Sequence, residues 1–413
     1  MTEITVNKPI SREKLDAELK AGSGASIVSL VNHLVELAYN LQASDIHIDP
    51  QVDVVRIRFR IDGVLIEECS IAKIIHSEII SRIKILASLR TDEHQSAQDC
   101  RFRMQIENST PVDVRVSITP TYYGENAVLR LLSDKAADYT LESLGFSKDN
   151  QKKISDAFQR PYGMILATGP TGSGKTTTLY TILKTLNTPE VSIITIEDPI
   201  EYSLFGVNQI GVNARTGLTF ANGLRSVLRQ DPNVIMVGEI RDNETAGLAV
   251  NTALTGHLLL STIHTNDAAT TLPRLLDMKI EPYLIASTVN VAIGQRLVRK
   301  ICSKCKMEKK MTPAEQKSLE GVLSDKVSGK NNTFYYGKGC GECNNTGYRG
   351  RIGIHEVLVM DQVLREAVLR KASASELRDL AIKQGMVSMI EDGFEKAKKG
   401  ITTIEEVLRM LYE

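Results

Sequence analysis

The 413-residue sequence has no surplus of either charge, because Lys plus Arg and Asp plus Glu both number 50. The overall basic footprint left by nucleic-acid binding is therefore missing, and only a local basic groove could serve such a partner. Long apolar runs are also missing: no stretch reaches the roughly 18 residues that a membrane helix needs, and the opening MTEITVNKPISREK has no signal core. Any membrane association then goes through a partner. Internal repeats and low-complexity segments are absent, and a composition of 42% hydrophobic and 24% charged residues leaves no room for a large disordered tract. Cysteine is scarce, six in all, yet four form two CxxC pairs, Cys302/Cys305 and Cys340/Cys343. In a chain without a signal peptide these read as metal ligands in a reducing cytosol, not as disulfides. Cys69 and Cys100 are expected to be buried as small apolar residues.

A single core stops growing at about 250–300 residues, so at least two domains are expected. Residues 1–25 read as a polar tail. SIVSLVNHLVELAYN then places Ile27, Leu30, Val31, Leu34, Val35 and Ala38 at helical spacing. VDVVRIRFRIDGVLIEE alternates with period two around Asp62-Gly63, a hairpin pair that sets Arg58 opposite Glu67. A helix over 76–89 and the strand-like PVDVRVSIT and NAVLRLL complete an N-terminal α+β domain over 26–135. Residues 136–147 are expected to be a linker. GMILAT, VSIITI, NVIMV and HLLLSTI are continuous apolar runs with polar or glycine-containing crossovers, the pattern of a parallel sheet buried on both faces. They place an α/β nucleotide-binding core over 148–298. A four-cysteine element follows over 299–356, and a helical region over 357–413 has capping-box signatures at Ser373-x-x-Glu376 and Thr402-x-x-Glu405.

The strongest chemical signal is ATGPTGSGKTTTLY, a phosphate loop between a strand and a helix, running Gly169, Pro170, Thr171, Gly172, Ser173, Gly174, Lys175, Thr176, Thr177. Its glycines let backbone N–H groups turn toward a β-phosphate. Lys175 balances β/γ charge, and the Thr176 hydroxyl can ligate Mg²⁺. NVIMVGEIRD ends a strand in Glu239, which should reach Mg²⁺ or its water shell. VSIITIEDPIEY brings Glu197, Asp198 and Glu201 to the same sheet edge. Glu197 is the first choice for the base that activates water, whereas Glu201 could instead pair with a surface Arg. HLLLSTIHT puts His264 at that edge, within reach of a γ-phosphate, while His257 reads more readily as a satisfied core histidine. Arg225 and Arg229 share a helix face; solvated surface charge is the default for this spacing, and phosphate or a neighbouring subunit is the alternative. The four thiolates, with 34 residues between Cys305 and Cys340, suit a closed tetrahedral Zn²⁺ of structural type better than a redox pair.

In this order SDIHI, RFRIDG, GPTGSGKT, TIEDPIEY, FANGLRSVLRQDPN, VGEIRD, TGHLLLSTIHTNDA, CNNTGYRGRIGI and DGFEKAKKGITTIEEVLR resemble the type II secretion and type IV pilus assembly ATPases, over roughly residues 25–413. The resemblance implies a RecA-like P-loop ATPase domain with a PAS-like N-terminal α+β domain, binding ATP, Mg²⁺ and Zn²⁺. It further implies a homo-hexamer working in the cytoplasm, peripheral to the inner membrane through a platform protein; the neutral charge leads to no expected nucleic-acid partner. Arg115 and Arg130 match family arginines that reach the nucleotide, and Arg225 and Arg229 match interface arginines. The cysteine element is similar to that of the assembly and secretion branch. AQDCR stands where the family has PQDGR, Asn233 where it has Asp, and His355 where it has Tyr. Residues 1–25 are expected to be a tail rather than the extra N-terminal domain that many relatives carry. A nucleic-acid translocase or DNA-uptake motor on the same sheet is the alternative function, opposed by the neutral charge. A regulatory ring that binds ATP without turnover is opposed by the presence of both Glu197 and Glu239.

Overall fold

The computed structural model describes residues 10–21, 26–106, 111–132, 139–310 and 333–410. They divide into two compact units, Met1–Asp134 and Lys135–Glu413. Among the described residues no helix is long and apolar enough to cross a membrane.

The first unit is built on β1 (Ala43–Pro50), β2 (Val54–Ile61), β3 (Val64–Ala72), β4 (Gln98–Met104), β5 (Val112–Thr121) and β6 (Gly124–Leu132). All pairings are antiparallel, in the order β3-β2-β1-β6-β5-β4, so two three-stranded meanders meet along β1 and β6. Period-two alternation sorts the faces: Val112, Val114, Val116 and Ile118 of β5 are buried, while Arg115 points to solvent. Helices Ile27–Asn40 and His76–Leu86 contribute Leu34, Val35, Ile79 and Ile83 to the same core.

Sequence and structure part company at three places in this unit. The polar tail contains a helix, Ile10–Ala21, whose Leu15 is 1% exposed within the core; one buried leucine among charged residues gave too weak a periodic signal. Asp62 and Gly63 do take positive φ, 50° and 89°, and Arg58 does sit opposite Glu67. The ion pairs nevertheless run elsewhere, Arg56 to Glu67 at 2.7 Å and Arg58 to Asp49 at 2.7 Å. A register shift between Ile57 and Arg58 lets long side chains reach diagonal neighbours. Cys69 and Cys100 are half-buried, not fully buried, and burial still pushes the Cys69 thiol up to about 12. Cys100 lies opposite Val116 in regular strand with no positive φ, so the backbone there does not require glycine.

The second unit carries β7 (Gly163–Thr168), β8 (Ile193–Glu197), β9 (Asn208–Gly211), β10 (Val234–Val237), β11 (Leu258–Ile263), β12 (Val289–Ile301), β13 (Lys306–Lys310), β14 (Thr333–Gly337) and β15 (Tyr348–Val359). Seven of them form a sheet in the order β15-β12-β7-β11-β10-β8-β9, parallel from β12 to β9 and antiparallel at β15. The four apolar runs become β7, β8, β10 and β11, buried at every residue, as strands covered on both faces must be. β12 and β15 cross the 298/299 and 356/357 boundaries, because residues 291–301 pair with 348–359 across a gap in sequence that no local pattern reveals. β13 and β14 form a separate two-stranded ribbon.

Helices Gln362–Leu369, Ala374–Lys383, Met389–Lys398 and Ile404–Arg409 follow. Ser373 caps the second by accepting the Glu376 N–H. The last is capped by Thr403, one residue after the expected Thr402, whose hydroxyl donates instead to the Arg299 carbonyl at 2.7 Å. A reciprocal capping box forms at Ser388 and Glu391. His355 is buried and stacked on Phe146, with centroids 3.6 Å apart.

Candidate active site and metal centre

The carboxyl ends of the parallel strands gather the site. β7 ends at Thr168, the loop 169–174 turns, and the helix Lys175–Leu186 begins with no side-chain cap. Its first N–H groups are therefore available to an anion. Gly169 has no room for a side chain: a Cβ would lie 2.3 Å from the Gln295 carbonyl oxygen and 2.8 Å from Ser173 Oγ. Lys175 is 8% exposed and donates to the carbonyls of Gly169 and Pro170 at 2.8 and 3.0 Å. Burial lowers its pKa, and the negative charge of Glu239 opposes that shift. Ser173 Oγ is buried without a partner, Pro170, Thr171 and Gly172 are exposed, and Thr176 and Thr177 sit half-buried in the first helical turn. An orphaned hydroxyl, uncapped N–H groups and a lysine held only by loop carbonyls fit a phosphate chain.

Opposite the loop, Glu239 follows β10. Its Oε2 lies 2.6 Å from Arg241 Nε and 3.2 Å from His264 Nε2. His264 follows β11, and the next residue ties that loop to the phosphate-loop strand, because the Thr265 N–H donates to Thr168 Oγ1 at 3.1 Å. His257 precedes β11 at the other end, with Nδ1 against the Thr252 carbonyl at 3.3 Å, so it is a packed histidine away from the site.

Glu197 is at the expected edge but does not face it. It is 2% exposed; Oε2 accepts from the Tyr180 hydroxyl, and Oε1 accepts from Thr195 Oγ1 at 2.5 Å and Gln209 Nε2 at 3.1 Å. Three donors therefore occupy most of the roughly four lone-pair sites of this buried carboxylate. Burial, then the Glu197 charge, drives the Tyr180 phenol far above its ordinary range. Glu201 is half-buried in the following loop, where its backbone faces the Tyr180 hydroxyl.

Arg225 is exposed and paired with Glu244 at 2.6 Å, and Arg229, just past the end of helix Phe220–Val227, donates to the Arg225 carbonyl at 2.9 Å. Neither has a described contact to the phosphate loop. In the first unit Arg115 and Arg130 lie directly opposite one another on β5 and β6, with Arg101 opposite Arg115 on β4. Asp45 holds Arg130 Nε at 2.9 Å, while Arg115 and Arg101 have no ion pair among the described residues. Like charges abreast destabilise a sheet, so this solvent face is suited to an anion.

Reasoning from sequence missed Gln295 and Arg241. Gln295 on β12 donates to the Ser173 carbonyl at 2.7 Å and accepts from Thr178 Oγ1 at 2.8 Å, clamping the phosphate loop. Nothing near it in sequence marks it. Arg241 could have been found as the base two residues after Glu239 in VGEIRD.

Cys302 and Cys305 follow β12, and Cys340 and Cys343 follow β14. Their four Sγ atoms lie within 4.8 Å of one another, with separations of 3.8 Å (Cys302–Cys340), 3.9 Å (Cys305–Cys343) and 3.7 Å (Cys340–Cys343). A tetrahedron with metal–sulfur bonds of about 2.3 Å has edges of about 3.8 Å, so the thiols fit one closed zinc-type site. The Cys340 and Gly347 N–H groups reach Cys343 Sγ at 3.2 and 3.3 Å, the support a thiolate ligand needs.

Residues 20–409 match the model of a family described as Type II/IV secretion system protein. A type IV pilus assembly ATPase, PilB of Myxococcus xanthus, is 45% identical over 96% of this chain and 70% of its own length. Type II secretion system protein E of Xanthomonas campestris pv. campestris is 45% identical over 97% of this chain and 70% of its own. Among solved structures, the pilus retraction motor PilT with bound ADP superposes with a TM-score of 0.62 at 26% identity, covering 92% of this chain and 96% of that one. With a family model matched over residues 20–409 and relatives 45% identical over nearly the whole chain, this chain belongs to the type II/IV secretion system protein family.

Proposed function

We propose that this ATPase is a homo-hexameric motor that couples Mg²⁺-dependent ATP hydrolysis to either type IV pilus assembly or type II protein secretion, working from the cytoplasm on a platform protein of the inner membrane. The observation that carries the reading is Glu239, held by Arg241 and His264 and close enough for its charge to act on Lys175 of the phosphate loop. Glu239 and Thr176 would hold Mg²⁺, whose charge offsets that building up on the phosphates. Glu239 orients the attacking water, and His264, hydrogen-bonded to it, senses the γ-phosphate. Arg115 and Arg130, with Arg225 and Arg229, complete the site between copies. Cys302, Cys305, Cys340 and Cys343 hold one structural Zn²⁺.

Rings that complete their own sites are tested by dilution. Specific ATPase activity should rise with protein concentration, in step with a hexamer seen by sedimentation, whereas constant activity in a monomer would sink the shared site. Stimulation by DNA would favour the nucleic-acid translocase instead. For the metal, elemental analysis should return one zinc per chain, and a strong chelator should loosen the ribbon and cysteine knuckles before it affects the phosphate loop. A metal-free preparation that is reduced and fully folded would refute the assignment.

A further inference from the structure

The loop from His264 to Thr270 is tied at both ends, in different directions. At one end His264 meets Glu239 at 3.2 Å and the Thr265 N–H meets Thr168 at 3.1 Å. At the other, the Ala268 N–H donates to Glu356 Oε1 at 2.7 Å, and Asp267 pairs with Arg378. Glu356 belongs to β15, and its Oε2 accepts the N–H of Met389, the first residue of helix Met389–Lys398, at 3.4 Å. Arg378 belongs to helix Ala374–Lys383. Asp267 also accepts from the N–H and hydroxyl of Thr270, at 2.8 and 2.6 Å, so the Arg378 contact bears on an already rigid turn. One short loop thus touches the ATP-facing acid, the strand before the phosphate loop and one C-terminal helix, and reaches a second helix through Glu356.

Glu356 is 4% exposed, and its burial raises its pKa against the opposing pull of the two N–H donors. An acid buried this deeply is costly to desolvate, and an apolar side chain would pack there without that cost. What the carboxylate offers and a hydrocarbon cannot is a directional link between two backbones. β12 makes room for that link: a Cβ on Gly294 would lie 2.8 Å from Glu356 Cγ and Oε1 and 2.9 Å from the Ala268 nitrogen. The next residue, Gln295, clamps the phosphate loop, so adjacent positions of one strand serve both halves of the site.

We propose that Glu356 and Arg378 are positioning residues for hydrolysis: they hold the His264 loop where His264 meets Glu239, and they link helices Ala374–Lys383 and Met389–Lys398 to the nucleotide state of that loop. The proposal rests on the reading of His264 and Glu239 given above. A loop displaced by about 1 Å can cost on the order of 10²-fold in rate without weakening binding.

The full chain is assayed with ATP for turnover and with a non-hydrolysable analogue for affinity. Arg378 is 41% exposed, so Arg378→Ala should fold normally. It is expected to lower kcat by about tenfold to a hundredfold with analogue affinity kept, and Arg378→Lys should restore part of the rate. Asp267→Asn should give a similar loss, and the Asp267→Asn/Arg378→Ala double variant should be no slower than the slower single one, because both remove one contact. Glu356→Gln should reproduce the split between kcat and affinity. In the wild type, the analogue should slow amide exchange across residues 374–383, and in Arg378→Ala it should not. Unchanged kcat in Arg378→Ala and Glu356→Gln, losses that multiply in the double variant, or affinity falling along with kcat would each overturn the proposal. His264→Ala separates the two levels: wild-type turnover in that variant refutes the active-site reading, whereas normal turnover confined to the Arg378 and Glu356 variants refutes only the positioning role.

Discussion

Lys175→Ala is expected to abolish nucleotide binding, whereas Glu239→Gln should bind ATP and lose about 10²–10⁴-fold in turnover. Lys175 is the one side-chain cation inside the loop, and among the described residues its hydrogen-bond partners are the carbonyls of Gly169 and Pro170. A bound phosphate chain replaces those weak acceptors with full negative charge, so removing the amine removes the largest attraction in the site. Glu239→Gln keeps shape and polarity but loses the charge that draws on Arg241, His264 and a metal. Nucleotide titration and steady-state phosphate release separate the two outcomes. Glu197→Gln is the instructive third variant. An amide cannot accept from Tyr180, Thr195 and Gln209 together, and the buried mismatch should cost about 1–3 kcal/mol of stability. Its melting point should fall more than its turnover per folded chain. Full stability with turnover lost would support Glu197 as the base.

The other large effect is expected from Arg115→Ala and Arg130→Ala, each lowering turnover by about 10³–10⁵-fold if its guanidinium reaches the γ-phosphate. Asp45 engages Arg130 through Nε alone, which leaves the Nη groups for a ligand, while Arg115 has no ion pair among the described residues. Mixing either arginine variant with Lys175→Ala chains gives the decisive readout. Sites shared between copies should recover activity in mixed rings although each parent is nearly inactive. Sites completed within one chain should show no rescue. Full activity of both arginine variants alone would remove these residues from the nucleotide.

Much of this was local and so could be read along the chain. The phosphate loop is nine consecutive residues whose function depends on backbone turns they make themselves, and its flanking strand and helix announce themselves by composition. The four buried strands were equally clear, since a strand covered on both faces must be apolar throughout. CxxC knuckles fix two ligands each by spacing alone, and only the approach of the two pairs remained to be seen.

What sequence could not assign was the direction in which a strand-end side chain points once neighbours crowd it. Glu197 and Glu239 both end apolar strands in acidic motifs, yet Glu197 is taken by Tyr180 from the helix after the phosphate loop and Gln209 from β9, while Glu239 is held by Arg241 and His264. Gln295 and Glu356 act through partners more than 80 residues away, at Ser173, Thr178 and Ala268. The amino-acid sequence determined which groups with phosphate and metal chemistry are present and which strand ends carry them, because those depend on spacing along one backbone. Only the tertiary structure decided which donors each of those carboxylates meets, because a buried acid goes to whichever donors the packed sheet brings within hydrogen-bond distance.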